Sequence, residues 1–451
     1  MHFATMAEWR SSFEVLAAGA LIAGLAFAAP SQAATFQTIT AFCSDFPTCS
    51  IGANPAGGLL LDSAGHLYGT APSGGTGFGT VYELSLSGGK WTPSLLYAFC
   101  AQSGCNDGVS PESALIIDTA GNLYGVTPRG GANGGGVAFE LSPTGGTWQL
   151  KVLYAFCAQG GSACTDGSTP SGVSTQSNVG LTYFGAATGQ PYDGVSPLFG
   201  TTVSGGLNNA GTVFQLTNSG GTWSEKVLYS FCAKAACADG SMPGNLIVSA
   251  SNSIYGTTGA VPGTVFQLKA NSKLTKWKLS TLYTFCSASN CADGETPDSL
   301  SIDGTGKLLG TAASGGTGSN CNMPGGCGAA FSLVPKKKGS LEKVLYNFCS
   351  QAGCADGSLP APGIALDTAG NLYNATNLGG NDNCFGGSTC GAVIEVAGTT
   401  EQVLHAFCPQ ERCTEGTSPQ SGPIRDAAGN LFGTTAFGGK FGGGSVYEIT
   451  P

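Results

Sequence analysis

Short apolar runs, bounded by Gly, Asp, Asn, Ser or Pro, follow one another in groups of four along most of this chain. In the first group they are Leu59 to Leu61, Leu67 to Thr70, Thr80 to Leu84 and Leu95 to Phe99. Runs this short, closed by turn residues, predict β-strands rather than helices. The first two runs are linked by Asp62-Ser63-Ala64-Gly65, with counterparts at 118–121, 303–306, 367–370 and 426–429. An Asp that accepts backbone N–H groups and a Gly at positive φ close such hairpins, so these aspartates read as turn residues rather than as catalytic or calcium-binding ones.

The groups repeat with a fixed mark. Phe-Cys, a short loop, Cys, one residue and Asp-Gly recur at Phe99, Phe156, Phe231, Phe285 and Phe348, with variants at Phe42 and Phe407. Spacings of 57, 57, 75, 54, 63 and 59 residues define seven units. Seven units of four antiparallel strands predict an all-β fold, a seven-bladed β-propeller. The strand from Thr35 to Phe42 is of the outer type, and the chain ends on an inner triplet at Val446 to Thr450. The N-terminal strand is therefore expected to complete the seventh blade in a 3+1 closure, removing an open edge.

Composition places this fold outside the reducing cytoplasm. The apolar run from Val15 to Ala29, followed by Pro30-Ser31-Gln32-Ala33, reads as a signal peptide over residues 1–33, with a single propeller domain over 34–451. No later apolar stretch is long enough to span a membrane. The 18 cysteines form nine close pairs: Cys43/Cys49, Cys100/Cys105, Cys157/Cys164, Cys232/Cys237, Cys286/Cys291, Cys321/Cys327, Cys349/Cys354, Cys384/Cys390 and Cys408/Cys413. An even count in an exported chain predicts local disulfides in loops. Zinc would need four converging ligands, and His66 and His405 are the two histidines after residue 33. We expect neither metal nor cofactor.

Residues 34–451 carry 17 basic and 25 acidic side chains, a net charge of −8. That balance argues against a nucleic-acid partner. The expected state is a soluble monomer whose partner is a polysaccharide or a surface protein.

The consensus D-x-x-G-N-L-Y-G-T-T, then Gly-Gly, then G-T-V-F-E-L, is carried by residues 118–141 (DTAGNLYGVTPRGGANGGGVAFEL) and 426–449 (DAAGNLFGTTAFGGKFGGGSVYEI). It resembles the GloVer (Gloeo_Verruco) tandem-repeat family of exported bacterial proteins. The resemblance implies an extracellular or surface propeller without an assigned biochemical role. Residues 360–373 are more loosely similar to NHL repeats, and Gly-Gly followed by Trp to kelch repeats.

The disulfide loops and the Gly-Gly loops are expected to share one face, with the Asp-x-x-Gly hairpins on the other. The extra pairs Cys321/Cys327 and Cys384/Cys390 fall in the Gly-Gly loops of blades 5 and 6, making Gly315, Gly316, Gly379 and Gly380 candidate binding positions. Tyr183, Tyr192 and Asp193, in the long insertion of blade 3, offer aromatics beside a carboxylate that suit stacking on sugar rings. The alternative is a hairpin packed on its own blade. Polar residues at the Glu83 position (Glu140, Gln215, Gln267, Ser332, Glu395, Glu448), on a strand expected to lie between blades, read as hydrogen-bonding to neighbouring backbone, the alternative being carboxylate pairs for glycoside cleavage. Asp107, Asp166, Asp239, Asp293, Asp356 and Glu415 are the nearest candidates for acid/base work, against a simpler role capping the turn before a proline. Lys269, Lys273, Lys276, Lys307, Lys336, Lys337 and Lys338 read as solvated turn lysines or as a dock for an anionic polymer. The readings, in order, are a binding module, a polysaccharide-active enzyme using carboxylates, and a structural envelope protein. No catalytic residue is assigned.

Overall fold

Thirty strands among the described residues assemble into seven sheets, the blades of a β-propeller. The computed structural model describes residues 34–159, 164–170, 180–249, 253–336, 339–380, 390–409 and 412–451. The segment read as a signal peptide lies outside them, as do Cys384, Lys337 and Lys338.

Blade 1 shows the plan. Its strands Leu60–Leu61, Leu67–Ala71, Thr80–Ser87 and Lys90–Ala98, here called a to d, pair antiparallel in chain order. Strand b is buried along its whole length, as expected of a strand covered on both faces, whereas strand d is exposed or half-buried everywhere but at Leu96. Blade 7 takes a to c from Ile424–Arg425, Leu431–Thr435 and Ser445–Thr450. Its strand d is Thr35–Ala41, paired from Thr35 opposite Thr450 to Ala41 opposite Ser445. The ring thus closes through the N-terminal strand, as the sequence predicts.

Each blade grips the next through three recurring contacts. At six of the seven junctions the Phe of the Phe-Cys motif is buried against the aromatic ring on strand c of the following blade, and at the remaining one Phe348 packs in one cluster with Ile394. Phe42–Tyr82, Phe99–Phe139, Phe156–Phe214, Phe231–Phe266, Phe285–Phe331 and Phe407–Tyr447 have centroids 4.8 to 5.2 Å apart. Burying such a ring is worth about 1.5–3 kcal/mol, and a tilted pair about 0.5–1.5 kcal/mol more. Second, the Gly before strand c lies against the Pro that opens the next blade. A Cβ on Gly79 would come 2.6 Å from Pro111 Cδ, and one on Gly444 would come 2.8 Å from Pro55 Cδ. Third, the residue before that Pro donates its N–H backwards: Ser110 to Phe78 O at 2.8 Å, Met242 to Ala210 O at 2.9 Å and, across the closure, Asn54 to Gly443 O at 2.8 Å.

Blade 6 departs from the plan in a compensated way. In the other blades a Gly on strand b faces the strand c aromatic, as Gly69 faces Tyr82, where a Cβ would meet the Tyr82 ring. In blade 6 the facing pair is Asn374 and Ile394. The smaller Ile leaves room for the Asn, whose amide donates to Ala361 O at 2.9 Å and Gly363 O at 2.6 Å.

Candidate functional site

The loops that follow strand d form a stiffened face. Tyr97, near the end of strand d in blade 1, donates to Asp107 Oδ2 at 2.7 Å. The same carboxylate accepts the N–H groups of Ala101 at 2.9 Å and Gln102 at 3.3 Å. This lock recurs as Tyr154–Asp166, Tyr229–Asp239, Tyr283–Asp293 and Tyr346–Asp356, at 2.7 to 2.8 Å. The aspartates therefore cap the start of the disulfide loop, not the turn before the proline, which corrects the sequence expectation. Burial pushes the Asp239 and Asp293 carboxyls up, but their hydrogen bonds outweigh it and hold both below the ordinary range. Burial pushes the Tyr97 hydroxyl up, and its bond to Asp107 adds to the shift.

Both cysteines of all seven Phe-Cys loops adopt left-handed backbone, with φ between 39° and 67°. Non-glycine residues rarely settle there, and the covalent link, common to all seven loops, holds them in that conformation. Disulfides join Cys43–Cys49, Cys100–Cys105, Cys157–Cys164, Cys232–Cys237, Cys286–Cys291, Cys321–Cys327, Cys349–Cys354 and Cys408–Cys413. The ninth expected pair, Cys384/Cys390, is described at one end only, because Cys384 lies outside the described residues. Cys390 itself is fully buried and disulfide-bonded, and its carbonyl accepts the Ser418 N–H of blade 7 at 2.8 Å. It therefore stands at the junction of blades 6 and 7, under the loop face rather than on it, as Cys327 does at the junction of blades 5 and 6, where its carbonyl accepts the Leu359 N–H at 2.8 Å.

The Gly-Gly loops are fastened to these disulfide loops. Gly316 donates to Cys291 O and Gly380 to Cys354 O, each at 2.9 Å, and Gly75, Gly131, Gly206 and Gly439 repeat the bond in their own blades. Gly315, Gly316, Gly379 and Gly380 all have φ between 75° and 85°. A Cβ on Gly379 would come 2.6 Å from Cys354 O. These glycines hold the two loop sets together on one face. Large apolar side chains stand exposed at the tips: Phe46 (79%) on a disulfide loop, Phe78 (43%) on the Gly-Gly loop of blade 1, and Phe437 (53%) and Phe441 (42%) on that of blade 7.

The lock changes its third partner around the ring. Opposite the strand c residue that pairs with it stands Pro93, Leu150, Glu225, Leu279, Glu342, Glu401 or Phe36. The three glutamates lie beside lock aspartates. Burial pushes the Glu225 carboxyl up to about 8, with the Asp166 charge adding. Glu342 beside Asp293 and Glu401 beside Asp356 rise to about 7 for the same reasons.

Two junctions replace the lock itself. Between blades 6 and 7 His405 lies 3.1 Å from Glu415, and Phe36 stacks on the imidazole at 3.8 Å. Between blades 7 and 1 the Tyr position is Thr40, the Asp position Ile51 and the third position Pro93. A cavity of about 670 Å³ lies there, lined by these three residues and by Phe42, Ser44, Asp45, Lys440 and Phe441 among others. The sequence reading passed over this site because each substitution looks ordinary alone. Setting the seven units in columns would have exposed it.

The blade 3 insertion does not present its aromatics. Tyr192 is fully buried, donates to Ser196 O at 2.7 Å and packs edge-on against Tyr124 of blade 2. Tyr183 is half-buried, donates to Gln190 O at 2.6 Å and lies 5.1 Å from Tyr192. Asp193 accepts from Val195, from the Ser196 N–H and from the Ser196 hydroxyl. An exposed stacking platform at Tyr192 is thus ruled out; its ring packs on Tyr124 of the neighbouring blade, while Phe184 packs edge-on against Phe199.

At the hairpins Asp62 and Asp118 accept N–H groups two and four residues on, as turn residues do. Of the Glu83 series, Glu395 accepts from Tyr373 at 3.1 Å and Gln267 donates to Tyr255 at 3.2 Å, bonds to side chains on the adjacent strand of the same blade rather than to the backbone partners the sequence predicts. His66 sits 3.4 Å from both Asp62 and Glu83. Lys307 pairs with Asp303 at 3.6 Å, and Lys269, Lys273, Lys276 and Lys336 stand in or beside loops. Among the described residues, Cys286, Cys291 and Glu295 are close enough to share an ion, but the two sulfurs are bonded to each other.

Seven antiparallel blades, a ring closed by the first strand and disulfide-clipped loops on one face define a seven-bladed β-propeller. The chain belongs to the Gloeobacter/Verrucomicrobia repeat family, whose model matches residues 16–196 and 190–388. No curated protein matches it. Among solved structures it is similar to the extracellular domain of a one-component system from B. thetaiotaomicron, at 11% identity and a TM-score of 0.51, over 91% of this chain and 39% of that one. It thus spans well under half of that chain. It is also similar to the β-propeller domain of Swd1 from Myceliophteria thermophila, at 10% identity and a TM-score of 0.50, over 92% and 98% of the two chains. At these identities the likeness is one of fold.

Proposed function

We propose that residues 34–451 form an exported binding module that meets a polysaccharide or a surface protein through the face made by its disulfide and Gly-Gly loops. The observation that carries this reading is the group of exposed rings Phe46, Phe78, Phe437 and Phe441 on loops of the adjacent blades 7 and 1. Each loop is fixed by a disulfide, by glycine-to-cysteine hydrogen bonds, or by both, so little ordering entropy is lost when a partner docks. Rigid exposed aromatics are the common means of stacking on sugar rings and of anchoring protein interfaces. The extracellular domain from B. thetaiotaomicron shares the fold and accords with a role outside the cytoplasm. The carboxylates considered for glycoside cleavage are already engaged by tyrosines and backbone N–H groups, which favours binding over catalysis.

The test is a panel of polysaccharides and glycans incubated with the oxidised protein, reading retention together with release of reducing or unsaturated ends. Retention without release, lost in a Phe437→Ala/Phe441→Ala variant, supports the reading. Release of new ends would replace it with an enzymatic one. Absence of both signals removes carbohydrate and leaves the protein partner.

A further inference from the structure

A cavity of about 730 Å³ also flanks strand d of blade 3, beside Tyr229 with its lock intact; the cavity between blades 7 and 1 differs in reaching Ile51 and Pro93, across the position that this protein's own tyrosine and aspartate fill at five other junctions. At those junctions a phenol ring lies along the end of strand d, and a carboxylate accepts its hydroxyl and the first two N–H groups after the first cysteine. At the closure the chain geometry is retained. Cys43 has φ 67°, against 61° at Cys100 and 66° at Cys157, so the loop leaves strand d in the same direction. Gly52 donates to Cys49 O at 2.9 Å as Gly108 donates to Cys105 O at 3.0 Å, so position 51 stands where the lock aspartate stands elsewhere.

Between its ends the loop is one residue longer than at Cys100–Cys105, and the side chains at the lock positions differ. Thr40 is smaller than Tyr by a ring, and Ile51 brings no acceptor to the Ser44 and Asp45 N–H groups, for which no side-chain acceptor is found among the described residues. The Asp45 carboxylate is turned away onto the Ser50 N–H, with both oxygens at 3.1 Å. Lys440, lying 5.3 Å from the centre of the Phe441 ring, brings a cation to the lining. Apolar walls from Ile39, Ile51 and Pro93 complete a space of the size and character of a small-ligand pocket.

We propose that this cavity is a binding site for a small aromatic carboxylate, whose ring takes the place of the missing tyrosine and whose carboxylate takes the place of the missing aspartate. The Ser44 and Asp45 N–H groups and Lys440 receive the carboxylate, while Ile39, Ile51 and Pro93 enclose the ring. This site shares Phe441 with the exposed loop tips, whereas Phe46, Phe78 and Phe437 lie outside its lining, so changes at those three rings separate the two readings.

The probe is 3-(4-hydroxyphenyl)propionate, titrated into the oxidised protein by calorimetry. Saturable binding to one site is expected. A Thr40→Tyr/Ile51→Asp variant, which transplants the lock from the other junctions, should weaken it at least tenfold, while Phe46→Ala/Phe78→Ala leaves it within twofold. The uncharged 3-(4-hydroxyphenyl)propionamide should bind at least fivefold more weakly, and Lys440→Ala should narrow that difference. No saturable binding, unaltered binding in the lock variant, or equal binding of acid and amide would each overturn the proposal. Should the lock variant fail to fold, Ile51→Phe, which fills the cavity with apolar bulk, decides in its place: lost binding supports the site and retained binding overturns it.

Discussion

At the junction of blades 1 and 2, Tyr97, Asp107 and two backbone N–H groups form a closed polar lock with Leu150 beside it. At the junction of blades 7 and 1 the same positions hold Thr40, Ile51 and Pro93, and all three line one cavity. Both junctions nevertheless keep the buried phenylalanine on the next blade's aromatic, the glycine against proline and the backward N–H bond. The comparison separates what holds the ring from what shapes its surface. Ring cohesion rests on apolar burial and close backbone approach, which both junctions keep. The polar lock orders a loop, and one junction does without it.

Four measurements break or sharpen that comparison. The largest effect is expected from the shared contact: Phe42→Ala and Phe99→Ala should each cost about 3–5 kcal/mol in denaturant unfolding of the oxidised protein. A much smaller loss at Phe42 would mean that the closure is held differently from the other junctions. Next, Asp107→Ala should cost about 1–3 kcal/mol, because it leaves the Tyr97 hydroxyl and two N–H groups without their acceptor. Ile51→Ala, where no lock exists, should cost only its lost apolar burial, so equal polar penalties at the two sites would erase the distinction.

The compensated exchange in blade 6 gives the third. Ile394→Phe alone should lower stability by about 1–3 kcal/mol, since the ring would meet Asn374. Adding Asn374→Gly should recover most of that loss, and a double-mutant cycle without coupling would show that the pair is not an exchange. The smallest effect concerns Glu225, whose carboxyl rises from 4.5 to about 8 in the folded protein. Folded chains then hold a proton that unfolded chains release, so this residue lowers stability as pH climbs from about 4.5 towards 8. Glu225→Gln should match the parent at pH 4 and melt higher at pH 9; a gap that does not widen with pH would place the charge elsewhere.

Repetition made much of the molecule legible. Seven Phe-Cys marks with alternating apolar runs determined the blade count, the strand number and the closure by Thr35–Ala41, because each blade must bury the same faces as its neighbours. The pairing of cysteines five to seven residues apart was equally plain in the eight disulfides described at both ends, since such neighbours have little other choice. Tyr192 shows where that reasoning stops. Its composition suited an exposed platform, but whether an aromatic in an insertion faces solvent depends on the surface offered by another blade, here Tyr124.

The tertiary structure alone decided the rest. That Tyr97 and Asp107 meet, that the glycine before strand c yields to the next blade's proline, and that Thr40, Ile51 and Pro93 converge on one cavity are all contacts between segments brought together by the ring. The sequence by itself determined which elements form, because propensity, turn chemistry and periodicity act over a few residues. It did not determine which side chains would be left facing a space, because that depends on volumes contributed by two blades at once.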